Sequence, residues 1–288
     1  MNDRSGRRLF AAALCLLLLV LGGCGTLEPE LGHYRCLEVL ERGIPMETPE
    51  STLLLDQGGL ARFEADGEGG TASWRCEKGS FTLNVDGQTL TGSWEDGIIR
   101  LSTEDEITMV FVREDREEGY REQLEREREA LAAWQESWNG DWYGWWRIDN
   151  SGGELADTWY DLCARLTPQS DGSVYLRLWD EDQSAAKPMC EATLRQNGDG
   201  SAAAAEGYFW LQPLGDSDWT LRQEDGRITL AGHHEAGGEC FDYSLCLRAW
   251  GEKWDDPNER PYYYESWYLP LIEAGKTMPS RMNMQKLK

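Results

Sequence analysis

The run Phe81-Thr82-Leu83-Asn84-Val85-Asp86-Gly87-Gln88-Thr89-Leu90-Thr91-Gly92-Ser93-Trp94-Glu95-Asp96-Gly97-Ile98-Ile99-Arg100-Leu101 decides the fold class of the first half of the chain. Phe81, Leu83 and Val85 alternate with polar residues, Asp86-Gly87 supplies a two-residue hairpin turn, and Leu90 and Trp94 resume the alternation. Asp96-Gly97 then turns the chain into Ile99 and Leu101. A period of two places alternate side chains on one face, so the run is an antiparallel meander. Segments around Arg35–Val39, Thr52–Leu55, Leu60–Ala65, Ala72–Cys76 and Ile107–Val112 extend it to about eight strands in about eighty residues, which favours a small closed barrel over 32–112 because closure removes exposed edges.

Residues 113–138 change character. Charges dominate, Tyr120, Leu124, Leu131, Trp134 and Trp138 fall on one helical stripe, and Glu117–Arg121 and Glu122–Arg126 are favourable i,i+4 pairs. Asn139-Gly140 supplies the stop. The stripe is too short for a coiled-coil seam and its surroundings too acidic for a membrane surface, so 113–139 reads as a connecting helix. Strands return over 140–250: Tyr160, Leu162, Ala164 and Leu166 share one face, as do Phe241, Tyr243, Leu245, Leu247 and Ala249, with turns at Asp171-Gly172 and Asp225-Gly226. Glu95-Asp96-Gly97-Ile98-Ile99-Arg100-Leu101 is echoed by Glu224-Asp225-Gly226-Arg227-Ile228-Thr229-Leu230 just before the closing strand of each half. The expected fold is mainly β, with two antiparallel meander domains, barrel or sandwich, over 32–112 and 140–288, joined by the charged helix. The tail from Gly251, rich in Tyr, Trp and Pro, is expected to wrap the second domain without adding strands.

The first residues carry an address. Arg4, Arg7 and Arg8 precede apolar Leu9–Leu21, and Leu21-Gly22-Gly23-Cys24 follows as a lipobox, so residues 1–23 read as a signal peptide and Cys24 as the lipidated N-terminus of a tether over 24–31. Loss of Arg4, Arg7, Arg8 and Asp3 moves the formal charge from −24 to about −26. That field repels nucleic acid, which is not expected as a partner; the expected partners are the membrane, through the lipid, and a carbohydrate or peptide ligand. Outside the cytosol the even set Cys36, Cys76, Cys163, Cys190, Cys240 and Cys246 points to disulfides, Cys36 with Cys76 and Cys163 and Cys190 with Cys240 and Cys246, free thiols being the alternative. Cys240 and Cys246, about 20 Å apart along one strand, cannot pair with each other.

Catalytic signatures are absent. Only His33, His233 and His234 are neutral-pH acid/base candidates, and His233-His234 reads as a solvated turn. No zinc-type Cys/His spacing and none of the common nucleophile or phosphate motifs occurs, so no catalytic residue, metal or cofactor is expected. Asp180-Glu181-Asp182 reads as a solvated strand end. A carboxylate pair for glycoside hydrolysis stays open as an alternative.

Aromatic residues are the better lead. On a strand at 142–148, Trp142, Trp146 and Ile148 face one side and Tyr143 and Trp145 the other, so both faces are core only if the tail covers one. Otherwise Trp142, Tyr143, Trp145, Trp146 and Trp267 form a platform for a carbohydrate or peptide. The lipobox, the Gly- and Trp-rich meander, the charged helix and the strings Asp141-Trp142-Tyr143-Gly144-Trp145-Trp146 and Tyr268-Leu269-Pro270-Leu271-Ile272 resemble uncharacterised exported lipoproteins of Gram-positive anaerobes, some with lipocalin-like barrels. The resemblance implies surface attachment and carries no catalytic residues over; fold alone establishes no ligand. The expected function is that of a non-catalytic envelope lipoprotein binding a ligand or partner through its second domain, with a glycosidase or a structural spacer as alternatives.

Overall fold

The computed structural model describes residues 29–65, 67–149, 158–180, 183–209, 212–214, 219–236 and 239–282. The chain is mainly β and divides into two compact units, Met1–Glu125 and Arg126–Lys288.

Among the described residues the first unit is a closed barrel of eight antiparallel strands: β1 (Gly32–Glu41), β3 (Ser51–Leu55), β4 (Leu60–Ala65), β5 (Glu68–Glu77), β6 (Ser80–Val85), β7 (Gln88–Glu95), β8 (Ile98–Ser102) and β9 (Ile107–Arg113). Neighbours in sequence are neighbours in the wall, and β9 pairs back onto β1 from Tyr34↔Arg113 to Glu41↔Ile107 with a bulge between Cys36 and Glu38. β2 (Ile44–Pro45) is a spur on β1. The hairpin turns take the conformation their residues allow: Asp86 and Gly87 have φ 49° and 84°, Asp96 and Gly97 46° and 80°, the positive values that a two-residue turn needs to match strand twist. Alternation then buries Phe81, Leu83, Ile99 and Leu101 with Tyr34, Leu53, Leu55 and Phe111 inside the barrel, each large apolar side chain contributing about 1.5–3 kcal/mol by leaving water.

The second unit repeats the plan with β10 (Gly140–Asp149), β11 (Thr158–Pro168), β12 (Val174–Trp179), β13 (Cys190–Gln196), β14 (Ala202–Phe209), β16 (Thr220–Glu224), β17 (Arg227–Ala236) and β18 (Glu239–Ala249), and a spur β15 (Gln212–Leu214) on β14. β18 pairs with β10 and closes the wall. Asp225 and Gly226, at φ 51° and 70°, turn the sixth strand into the seventh, the position that Asp96-Gly97 holds in the first barrel. The sequence echo is thus a topological equivalence.

A 3-10 turn (Glu114–Arg116) leads into α1 (Glu117–Trp138), within which the two units meet in sequence. Tyr120 packs on Val110 and Val112 of β9 and donates its hydroxyl to Glu38 at 3.1 Å. In the second unit Trp134 and Trp138 enter the barrel core, and the Trp134 indole donates to the Gly200 carbonyl at 2.9 Å. The apolar stripe is therefore used in full by packing against strands.

The disulfide expectation is corrected: among the described residues no disulfide forms, and Cys36, Cys163, Cys190 and Cys246 are free thiols. Cys36 on β1 and Cys76 on β5 stand three strand steps apart around the wall, and strands spaced about 4.8 Å cannot bring their Cα atoms within the roughly 7 Å that a bridge requires. Cys190 points into the second barrel while Cys163 and Cys246 point out of it, and β10 separates these two. The side chain of Cys240 lies outside the described residues, as does Cys24. Burial pushes the Cys246 thiol up to about 11 and raises those of Cys163 and Cys190 as well.

Candidate functional site

β10 decides what the second barrel presents. Its pleat sends Trp142, Trp146 and Ile148 inward, where Trp146 stacks on Tyr243 at 5.1 Å. Gly144 lies where a Cβ would collide with the Cys246 carbonyl oxygen, so glycine permits the closing β10–β18 contact. Tyr143 points outward into a second cluster with Cys163, Trp179, Trp254, Tyr264, Trp267, Tyr268, Met278 and Met282. The tail supplies most of that cluster, Tyr264, Trp267 and Tyr268 from a π-helical turn (Tyr264–Tyr268) and Trp254, Met278 and Met282 from the segments around it, while α2 (Leu269–Glu273) packs Leu269, Leu271 and Ile272 against it; the tail contributes no strand among its described residues. The Tyr143 ring meets Tyr268 at 4.9 Å and its hydroxyl donates to the Glu252 carbonyl at 2.5 Å. Burial raises its phenol pKa.

An open platform of Trp142, Tyr143, Trp146 and Trp267 is thereby corrected: all four are buried, Trp142 and Trp146 inside the barrel, Tyr143 beneath the tail and Trp267 within the tail's own turn. Trp145 alone among the five candidates is half-exposed. It stands at the tail's edge, its indole donating to the Glu259 carbonyl at 2.7 Å.

Around Trp145 the register assembles a compact outer face. Trp145 lies opposite Asp161 and Arg147 opposite Trp159. The Trp145 and Trp159 rings are 4.8 Å apart, and the Arg147 guanidinium lies 5.3 Å from the Trp159 ring centroid, within cation–π range. Trp159 is 39 % exposed and Tyr262, from the tail, 82 %. Tyr262 is held by its backbone: the buried Asp161 carboxylate accepts the N–H of Tyr262 at 2.8 Å and of Tyr263 at 2.7 Å. Next to Arg147 across β18 is Ser244, and one row further His233 meets Asp242 at 2.7 Å. His233 is thus a strand residue in a cross-strand pair, correcting the turn reading; the side chain of His234 lies outside the described residues. Trp159 and Arg147 escaped the sequence reading. The signal that could have found them was the outward phase of Trp145, which Arg147 shares.

The other acidic and polar candidates do less. Asp180 is buried, correcting the solvated reading, while Glu181 and Asp182 lie outside the described residues. No cluster of His, Cys, Asp and Glu among the described residues could hold a metal. In the first unit a half-open groove of about 770 Å³ is lined by Arg35, Arg121, Glu50, Glu64, Ser51 and Thr52, among others. Glu117 binds both arginines, at 3.3 and 2.7 Å, and the Arg121 contact holds its carboxyl below the usual range. No helix among the described residues is long and apolar enough to cross a membrane.

No family model matches the chain, and no curated protein matches it. Among solved structures, a protein of unknown function from the DUF3598 family of Nostoc punctiforme aligns over 76% of this chain and 95% of its own, at 9% identity and a TM-score of 0.23. A provisionally assigned outer membrane protein of Bacteroides fragilis aligns over 76% of this chain and 97% of its own, at 10% identity and a TM-score of 0.22. Likeness at this level assigns no function, and the lipocalin-like barrel architecture rests on the strand pairing itself.

Proposed function

We propose that the protein is a non-catalytic cell-envelope lipoprotein, anchored through Cys24 on the extracytoplasmic side of the membrane, whose second barrel binds a carbohydrate or peptide ligand on its outer face. The observation that carries binding is the ring pair of half-exposed Trp145 and exposed Trp159 beside Arg147, with the exposed Tyr262 held through its backbone by Asp161, two residues from Trp159 on β11, since aromatic rings with a few fixed polar groups are the ordinary makings of a small-ligand site. The carboxylates bordering it are engaged, Asp161 by two backbone N–H groups and Asp242 by His233, which disfavours a glycosidase pair there. The lipobox carries the address. Both barrel interiors are filled by large side chains, an observation that favours a structural spacer as the second reading.

Two measurements test this. Cys24→Ser protein should leave the membrane fraction; retention equal to wild type overturns the anchor. Intrinsic tryptophan fluorescence against glycan and peptide panels should respond to at least one ligand, with the response lost in Trp159→Ala; silence across both panels leaves the spacer.

A further inference from the structure

Resting on that reading, we propose that the ligand of this face is a neutral saccharide stacked on Trp159 and Tyr262. Size comes first. The exposed parts of these two rings amount to on the order of 300 Å², well under the roughly 800 Å² per partner of a stable protein interface. β10 is paired along its length to β11 on one side and β18 on the other, so β10 itself offers no edge for a peptide to add as a strand; β11 is paired to β12 only from Cys163 to Pro168, so a peptide belongs among the probes.

The chemistry of the face is two-sided. Tyr262 and Trp159 present ring surface suited to the C–H face of a pyranose; the Arg147 guanidinium lies against Trp159 and the Ser244 hydroxyl one strand further on, donors and acceptors suited to hydroxyl groups. Charge decides the rest: a chain with a formal net charge of −24 repels polyanions, so uronic-acid or phosphate-bearing glycans are disfavoured against neutral ones. Tyr262 is fixed by Asp161 through its backbone rather than its ring, so the ring can be removed while the tail stays latched.

The test is calorimetric titration of the full chain with neutral oligosaccharides built on glucose, mannose, galactose and N-acetylglucosamine, alongside polygalacturonate and a proline-rich peptide, with near-UV circular dichroism confirming the fold of each variant. At least one neutral oligosaccharide should bind, and Tyr262→Ala and Trp159→Ala should each weaken it by about tenfold. Binding of the peptide alone, lost in the same two variants, overturns the saccharide assignment, and binding of polygalacturonate alone overturns its neutrality; either leaves the binding face standing. Saccharide binding untouched by either variant overturns the site, and no binding by any probe overturns the binding reading as well.

Discussion

Replacing Asp161 by Asn should loosen the tail of the second unit without altering the shape of the side chain. The carboxylate accepts two successive backbone N–H groups, from Tyr262 at 2.8 Å and Tyr263 at 2.7 Å, in a buried position. Hydrogen bonds to a charged acceptor contribute about 1.5–3 kcal/mol each. Asparagine keeps one acceptor and turns an NH₂ toward the other N–H, so one bond becomes donor against donor, and the surviving one loses its charge assistance. The expected cost is about 2–4 kcal/mol, or roughly 5–10 °C in the midpoint of a unit of this size. Scanning calorimetry reads it as a lowered transition of the second unit with that of the first unchanged, and limited proteolysis reads it as earlier cleavage within 250–282. A midpoint within about 1 °C of wild type refutes the reasoning, because it would mean that water replaces the carboxylate at no cost.

Gly144→Ala should destabilise the second unit by about 2–3 kcal/mol, since its Cβ would strike the Cys246 carbonyl oxygen at the barrel seam; denaturant unfolding followed by tryptophan fluorescence checks it. Thiol and alkaline behaviour are linked. Burial raises the thiols of Cys163 and Cys190 and brings that of Cys246 up to about 11, whereas an unfolded thiol titrates near 8.5. The unfolded chain therefore loses protons first, so stability is full below about pH 8.5 and falls as pH rises toward the folded values. Alkylation at pH 8 should leave these three thiols unmodified until denaturant is added, and rapid labelling of all three in native protein would contradict their burial.

Much of the fold was legible because local rules and tertiary packing agree. Phe81, Leu83, Ile99 and Leu101 sit where a period of two puts them, and each Asp-Gly pair named by the meander forms a turn. Strands β12, β13 and β14 escaped, the last because the Ala202–Ala205 run carries weak β propensity and is specified by its pairing with Arg195 and Gln196 instead. The cysteines misled because their even number says nothing about which side of a barrel wall each faces. The aromatic run gave its two faces correctly, but only the placement of Asp161 opposite Trp145 reveals how the tail is pinned and where its cover ends. Trp159, outside any motif, acquires meaning only through the register that sets it opposite Arg147.

Closure of each wall by its first and last strands also sets an order of events in folding. Tyr34 must find Arg113, and Trp142 must find Ala249, separations whose chain-entropy cost comes due before the seam rewards it. Neither barrel can seal until its final strand has emerged, so the first can finish while the second is still an open sheet with two bare edges. That interval, rather than the finished molecule, is when the chain is most exposed to aggregation, and it lasts until β18 reaches β10.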